Sequence, residues 1–200
     1  MPSDVMLALN EAAQDLLFRE ARTANSFTDE PVTDDTVRAV YELIKYAPTS
    51  FNGQPLRVLL VRTEESRARL VQHMSGPNQA KTQAAPLVAL LAADLEFHET
   101  LPRLMPHFPQ AKDLLADPSA REQAALFSGA MQLSYFIMGV RAAGLAAGPM
   151  LGFDADAINK EFFGDGGHKV IAVVNVGKPG ENAWFPRAPR LAYDEVFTVV

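Results

Sequence analysis

Gln123 to Val140 reads QAALFSGAMQLSYFIMGV, eighteen residues without a charge. That length reaches the lower range of a membrane span, so its reading decides what kind of protein this is. Gln123, Ser128, Gln132 and Ser134 interrupt the run, Gly129 and Gly139 sit inside it, and it would be the only span. A helix apolar on most faces, with polar interruptions of this kind, is the buried centre of a globular protein. Asp117-Pro118 supplies an N-cap and first-turn pair to open it, and Gly144 marks its end. It has more apolar faces than one small subunit covers comfortably. Either it is wholly core, or a second copy covers part of it, with Gly129 and Ala130 allowing close helix approach.

The chain on either side fills in around this helix. Downstream, Ala146 to Met150 is a short strand at most. Asp154 opens a short helix to about Phe163, and GDGG (Gly164 to Gly167) is a turn. KVIAVVNV (Lys169 to Val176) is the clearest strand. Gly177 to Arg190 holds three prolines and no periodicity, and Tyr193 to Phe197 makes a last helical turn. Upstream, residues 96–118 hold four prolines and read as an irregular excursion with short helical pieces, a candidate lid. Pro86 to Ala93 and Val58 to Arg62 are buried strands, Glu64 to Met74 a helix, and Ser75 to Gln79 a turn cluster. Thr33 caps a helix with Val37, Val40, Tyr41 and Ile44 on one face, ended by Ala47-Pro48. The first twenty residues form a helix with Ser3 as N-cap and Asp4 in its first turn. The strands do not alternate strictly with helices, so the class is α+β.

Composition excludes several functions. The 200 residues carry a net charge of −6 and no dense Lys/Arg cluster, so nucleic acid is not expected as a partner. With no cysteine there is no disulfide, thiol nucleophile or thiolate metal site. The N-terminus has early acids and no basic region, so the expected compartment is the cytoplasm. His73, His98, His107 and His168 lack an i, i+4 partner, so no metal site is expected. No serine-hydrolase motif and neither familiar glycine-rich phosphate loop occurs. At about 100–200 residues per domain, 1–200 is one domain.

What remains is a set of polar loops beside buried elements. Arg22, Thr23 and Asn25 follow the first helix; alone they are solvated surface. PTSFNGQP carries Pro48, Thr49, Ser50, Asn52 and Gln54; alone it is a turn. Asn78 and Lys81 sit three apart at a helix start, by themselves a cap and a surface lysine. GPMLGFD puts Pro149, Met150, Leu151 and Gly152 where backbone can approach a flat ligand; its plain reading is a strand-to-helix turn capped by Asp154. PRAPR offers Arg187 and Arg190 on a stiff backbone, suited to a phosphate, or simply an exposed tail.

Taken together and in this order, these segments resemble the nitroreductase family of flavin-dependent α+β homodimers, over about residues 15–192. In that family a basic-hydroxyl-x-basic motif binds the flavin ribityl and phosphate, and Arg22, Thr23 and Asn25 match its last three positions. The loop matched by Pro48, Thr49, Ser50, Asn52, Gln54 and Pro55 reaches the flavin of the other subunit. Asn78 and Lys81 match the pair facing the ring's pyrimidine edge. Pro149, Met150, Leu151, Gly152, Phe153 and Asp154 match the turn on the ring face, and Arg190 with Arg187 the basic pair on the phosphate. The usual leading arginine is Ala21, the third basic residue is Asn25, and the turn's common acid is Leu151. These departures, with the APTS and APRL flanks, resemble the malonic semialdehyde reductase branch of pyrimidine breakdown, linked also with 3-hydroxypropionate dehydrogenase activity.

The resemblance implies a three-layer fold with a small mixed, mainly antiparallel sheet in an intertwined homodimer. It implies bound FMN, with NADH or NADPH as co-substrate. Hydride passes from nicotinamide C4 to flavin N5 and then to a small acceptor in the same place, with ping-pong kinetics. Met150 and Leu151 would form the apolar floor. No side-chain nucleophile is needed, and no catalytic residue is named. The acceptor is malonic semialdehyde, giving 3-hydroxypropionate. A broad nitro or quinone reductase and a non-catalytic flavin module are the alternatives.

Overall fold

The computed structural model describes residues 7–164 and 166–200. The expected caps Ser3 and Asp4 lie outside them. The first helix, α1 (Glu11–Gln14), begins instead where the Asn10 side chain accepts from the Ala13 N–H at 2.9 Å, and it continues as a π-helical turn over Asp15–Arg19. Thr33 accepts from the Thr36 N–H and opens α2 (Asp34–Ile44). Strand β1 (Leu56–Val61) is followed by α3 (Glu64–His73) and α4 (Gly76–Ala84). The Ser75–Gln79 cluster is therefore a helix start and not a turn: Ser75 is the N-cap and Pro77 sits in the first turn, where its missing N–H costs nothing.

Strand β2 (Leu87–Asp94) leads into the 96–118 excursion, whose pieces are 3₁₀ turns at Phe97–Thr100 and Pro109–Leu115 around α5 (Leu101–Leu104). The uncharged stretch lies within α6 (Pro118–Ala142), capped by Asp117 as expected. After it come β3 (Ala146–Met150), α7 (Ala155–Phe162) capped by Asp154, β4 (His168–Gly177) and α8 (Tyr193–Val196). Within the turn before β4, Gly166 takes φ +71°.

The sheet runs β1-β2-β4-β3, and all three pairings are antiparallel, with no parallel pair among the described residues. The expected mainly antiparallel sheet is met; its mixed character is not seen within one chain. Strands β2 and β4 are buried on both faces, hence their continuous apolar runs. Alternate residues face opposite layers. Leu87, Ala89 and Leu91 pack with Phe136 and Val140 of α6, while Val88 and Leu90 pack with Leu70 of α3 and Ile158 of α7.

Two expectations about α2 and α6 change. Gly129 is used inside the chain, since a Cβ there would stand 2.8 Å from Ile171. Gly139 admits α2 in the same way, with Ile44 2.4 Å from the Cβ position. The α2 stripe is only partly committed: Val40 is buried, but Tyr41 is 56% exposed. Val37, Val40, Tyr41 and Ile44 line an open apolar groove of about 320 Å³ with β1 and α6.

Candidate functional site

One backbone hydrogen bond ties residues 21–25 to the outer edge of β3, and a second ties them to the segment around Ala183. The Ala24 N–H donates to the Ala147 carbonyl at 3.0 Å, and the Asn25 N–H to the Ala183 carbonyl at 2.9 Å. Gly148 permits this approach, because a Cβ there would lie 2.7 Å from the Ala24 carbonyl oxygen. Arg22, Thr23 and Asn25 then line a cavity of about 220 Å³ with Phe185, Pro186, Arg187 and Arg190. Residues more than 160 positions apart are thus brought together as the sequence reading expected. Arg187 donates to the carbonyls of Arg19 and Ala21, and Arg190 to those of Ala188 and Pro189. Arg22 Nη2 stands 3.5 Å from Glu20, while its buried Nε has no hydrogen-bond partner. Three guanidiniums against one carboxylate contact leave this cavity with a net positive lining.

A second group sits at the N-terminus of α4. Ser75 donates to the Gly152 carbonyl through both its N–H (3.0 Å) and its hydroxyl (2.8 Å), and Asn78 Nδ2 donates to the same oxygen at 3.0 Å. The Asp154 N–H donates to the His73 carbonyl, so the 150–154 turn is tied to α3 and α4 together. Of the expected apolar pair, only Leu151 faces outward, 77% exposed. Met150 points inward, its sulfur near Thr82 Oγ1 and Asn175 Nδ2, both on buried side chains. Its role is support beneath the surface: it is the last residue of β3, and the chain turns Leu151 outward just beyond it. Lys81 Nζ lies 3.4 Å from Asn25 Oδ1 and joins this group to the arginine pocket.

The 48–55 loop does not join them. It precedes β1, on the sheet edge opposite β3, three strand spacings or about 14 Å away. Phe51, Asn52 and Gln54 all take positive φ (53°, 53° and 46°), a strained arrangement for non-glycine residues. The loop is held by Thr49 Oγ1 accepting from the Gln54 N–H, by the Ser50 N–H donating to buried Ser128 Oγ, and by Asn52 Nδ2 donating to the Leu104 carbonyl. Asn52 and Gln54 line a separate hollow with Tyr41, Lys45 and Tyr46.

Sequence reasoning passed over Ser75, Thr82, Asn175 and Ser128. Ser75 was detectable as an N-cap before Gly-Pro. It weighed His98 only for an i, i+4 histidine partner and passed over Glu96 and Glu99, whose ligand-type atoms lie within 4.8 Å of one another and of those of His98. Arg121 pairs with Glu96 (3.0 Å) and Lys112 with Glu99 (2.5 Å). Among the described residues, no helix is long and apolar enough to cross a membrane.

Known proteins match this chain along nearly its whole length. The nitroreductase family model matches residues 18–178. A Streptomyces griseus protein named "Putative NADH dehydrogenase/NAD(P)H nitroreductase" is 65% identical over 195 residues, covering 97% of this chain and 99% of that protein. One of the same name from Leptothrix cholodnii is 43% identical over 194 residues, covering 96% and 98%. Among solved structures, a "putative nitroreductase" from Bacillus subtilis superposes with a TM-score of 0.85 at 21% identity, covering 96% of this chain and 100% of that one. Another, from Exiguobacterium sibiricum and solved in complex with FMN, gives 0.84 at 20% identity, covering 98% and 99%. By the family model, the close relatives and the shared fold, the chain belongs to the nitroreductase family.

Proposed function

We propose that the chain is an FMN-dependent NAD(P)H oxidoreductase, a single cytoplasmic domain acting as a homodimer on a small-molecule acceptor. The observation that carries this is the cationic pocket of Arg22, Arg187 and Arg190, continuous through Asn25 and Lys81 with the Asn78–Gly152 turn. FMN has a dianionic phosphate, one polar ring edge and a flat apolar tricycle, and each has a counterpart here. The orphaned Arg22 Nε fits a missing anionic partner. The FMN complex of the Exiguobacterium relative and the names of the closely similar proteins support the same reading.

When bound, FMN would supply the hydride-accepting and hydride-donating chemistry. The chain's own part is to hold and bias. Arg22 and Arg190 would neutralise the phosphate, with Arg187 fixing the 19–21 backbone beside it. Thr23 offers a hydroxyl to the ribityl chain. Asn78 and Lys81 would face the polar edge, where an ammonium would stabilise negative charge gained on reduction. Leu151 would lie against the ring, with Pro149 and Gly152 shaping the turn and Met150 supporting it from beneath.

The homodimer reading gives the 48–55 loop its place: Pro48, Thr49, Ser50, Asn52 and Gln54 would enter the partner's site. Support comes from the loop's position on the far edge of the sheet. It comes also from the uncharged outer face of α6, where Phe127 is 70% and Tyr135 44% exposed.

For the acceptor we propose malonic semialdehyde, reduced to 3-hydroxypropionate, on the strength of Ala21, Asn25 and Leu151. The exposed, uncharged Leu151 favours a second reading, a flat nitro or quinone acceptor. The test is a flavin spectrum of the purified protein, reduction with NADH and with NADPH, then reoxidation by malonic semialdehyde, a quinone and a nitroarene. A protein that takes up no FMN overturns the whole reading. Bound FMN that neither nucleotide reduces leaves a non-catalytic flavin module. Reoxidation by the quinone and nitroarene but not the semialdehyde overturns the finer assignment.

A further inference from the structure

We infer that Asn25 is a positioning residue for Lys81: its carboxamide holds the ammonium at the polar edge of the flavin without neutralising it. This rests on the FMN reading above. The orientation of the carboxamide follows from its surroundings. Asn25 Nδ2 has two carbonyl oxygens in reach, Thr23 at 3.3 Å and Ala183 at 3.5 Å, and the Asn25 backbone N–H is bound to Ala183 as well. An amide nitrogen facing carbonyls sends its oxygen the other way, and the oxygen meets Lys81 Nζ at 3.4 Å. Among the described residues, no carboxylate pairs with Lys81.

The chemistry of the alternatives shows why an amide suits this position. A lysine or arginine at 25 would set a second cation against Lys81 and push it away. An aspartate would hold Lys81 firmly but cancel its charge. Asparagine accepts a hydrogen bond and leaves the positive charge whole, available to the negative charge that builds on reduction. What looks like a lost phosphate contact is then a different role, in which residue 25 bears on how readily the flavin is reduced more than on how tightly it is held.

The test uses full-length protein loaded with FMN, comparing wild type, Asn25→Ala, Asn25→Asp, Lys81→Met and the Asn25→Ala/Lys81→Met double variant. Two quantities are measured: the midpoint potential by dye-referenced reductive titration, and the FMN dissociation constant by fluorescence. Asn25→Ala is expected to lower the reduced-to-oxidised ratio at fixed potential by about tenfold, or about 30 mV for a two-electron couple. Its effect on FMN affinity should be smaller than that of Arg190→Ala. Asn25→Asp should move the potential further in the same direction. The double variant should match Lys81→Met, because Asn25 acts through Lys81. An equal Asn25→Ala shift with and without Lys81 overturns the inference. So does a loss of affinity matching Arg190→Ala with no change of potential, which would make Asn25 a phosphate contact. Wild type that takes up no FMN overturns the functional reading itself, and this inference with it.

Discussion

Asn78 Nδ2 donates to the Gly152 carbonyl at 3.0 Å, and the two residues are so close that no side chain fits between them. A Cβ on Gly152 would lie 2.8 Å from Asn78 Nδ2 and 2.5 Å from Ser75 Oγ. The 150–154 turn and the start of α4 are therefore one unit, and whatever displaces one displaces the other.

Gly152→Ala should separate them. Both atoms the new Cβ would meet end short side chains that can move aside, so the stability cost should be at the low end of overpacking, about 1 kcal/mol, while FMN affinity should fall as the hydrogen bonds to the Gly152 carbonyl are lost. Asn78→Ala should spare stability by comparison. Thermal unfolding and FMN titration check both, and a Gly152→Ala protein with wild-type values for each would show that the close approach is not required.

Arg190→Ala should weaken FMN binding more than Lys81→Ala. A charge-assisted contact to a phosphate contributes on the order of 1.5–3 kcal/mol, and Ala21 leaves few substitutes in the pocket. Unchanged dissociation constants for Arg190→Ala would remove it from the phosphate site.

Arg67 is 8% exposed, and its guanidinium donates to the carbonyls of Val61, Thr82, Ala85 and Pro86. Burial pushes its pKa below the ordinary arginine value. It bolts the end of α4 to β1 and β2. Arg67→Met should lower stability by roughly 1.5–3 kcal/mol through the loss of hydrogen bonds to a charged donor. Arg67→Lys should recover only part, since a lysine lacks the planar fork. Denaturant midpoints of the two variants provide the comparison.

The hydrogen bond from Lys112 holds the Glu99 carboxyl below its usual range. A depressed carboxyl contributes stability above the unfolded value, about 4.3, and loses it as pH falls through the folded value. Wild type and Lys112→Met should therefore differ in proteolytic sensitivity of the 97–115 segment at pH 5–7, and the difference should vanish toward pH 3. A difference that persists into strong acid would assign the protection to packing instead.

A mixed dimer of Asn52→Asp and Arg190→Glu tests the shared site. With each site drawn from two chains, one mixed site carries both lesions and the other none, so up to half the activity of that dimer returns. With sites built from one chain, mixing restores nothing.

The core strands were legible because β2 and β4 lie between helices and so read as unbroken apolar runs. Pro48, Asp117 and Asp154 announced helix boundaries through their backbone chemistry. Other features depend on contacts that no local pattern carries. Ser75-Gly76-Pro77-Asn78 has the composition of a turn and also the cap and proline of a helix start, but its packing against Gly152 is a contact no local pattern carries. The direction of the Asn25 carboxamide is set by Thr23 nearby and by Ala183, 158 positions away. Met150 and Leu151 are equally apolar as letters, and only the end of β3 between them, with Met150 inside and Leu151 beyond it, decides which is buried. Tyr41 belongs to a good helical stripe, yet the single chain leaves it uncovered.

The bond from Ala24 to the Ala147 carbonyl has a consequence for how the molecule avoids its own kind of misassembly. Because Ala147 turns its polar groups away from β4, alternation puts the backbone of Pro149 on that same outward side, where proline has no N–H to offer. One stretch of the strand's free edge is thus occupied by residues 21–25, and the next lacks a donor. A foreign strand meeting this margin finds no ladder to extend, so the edge nearest the candidate flavin site is closed to fibre-like aggregation.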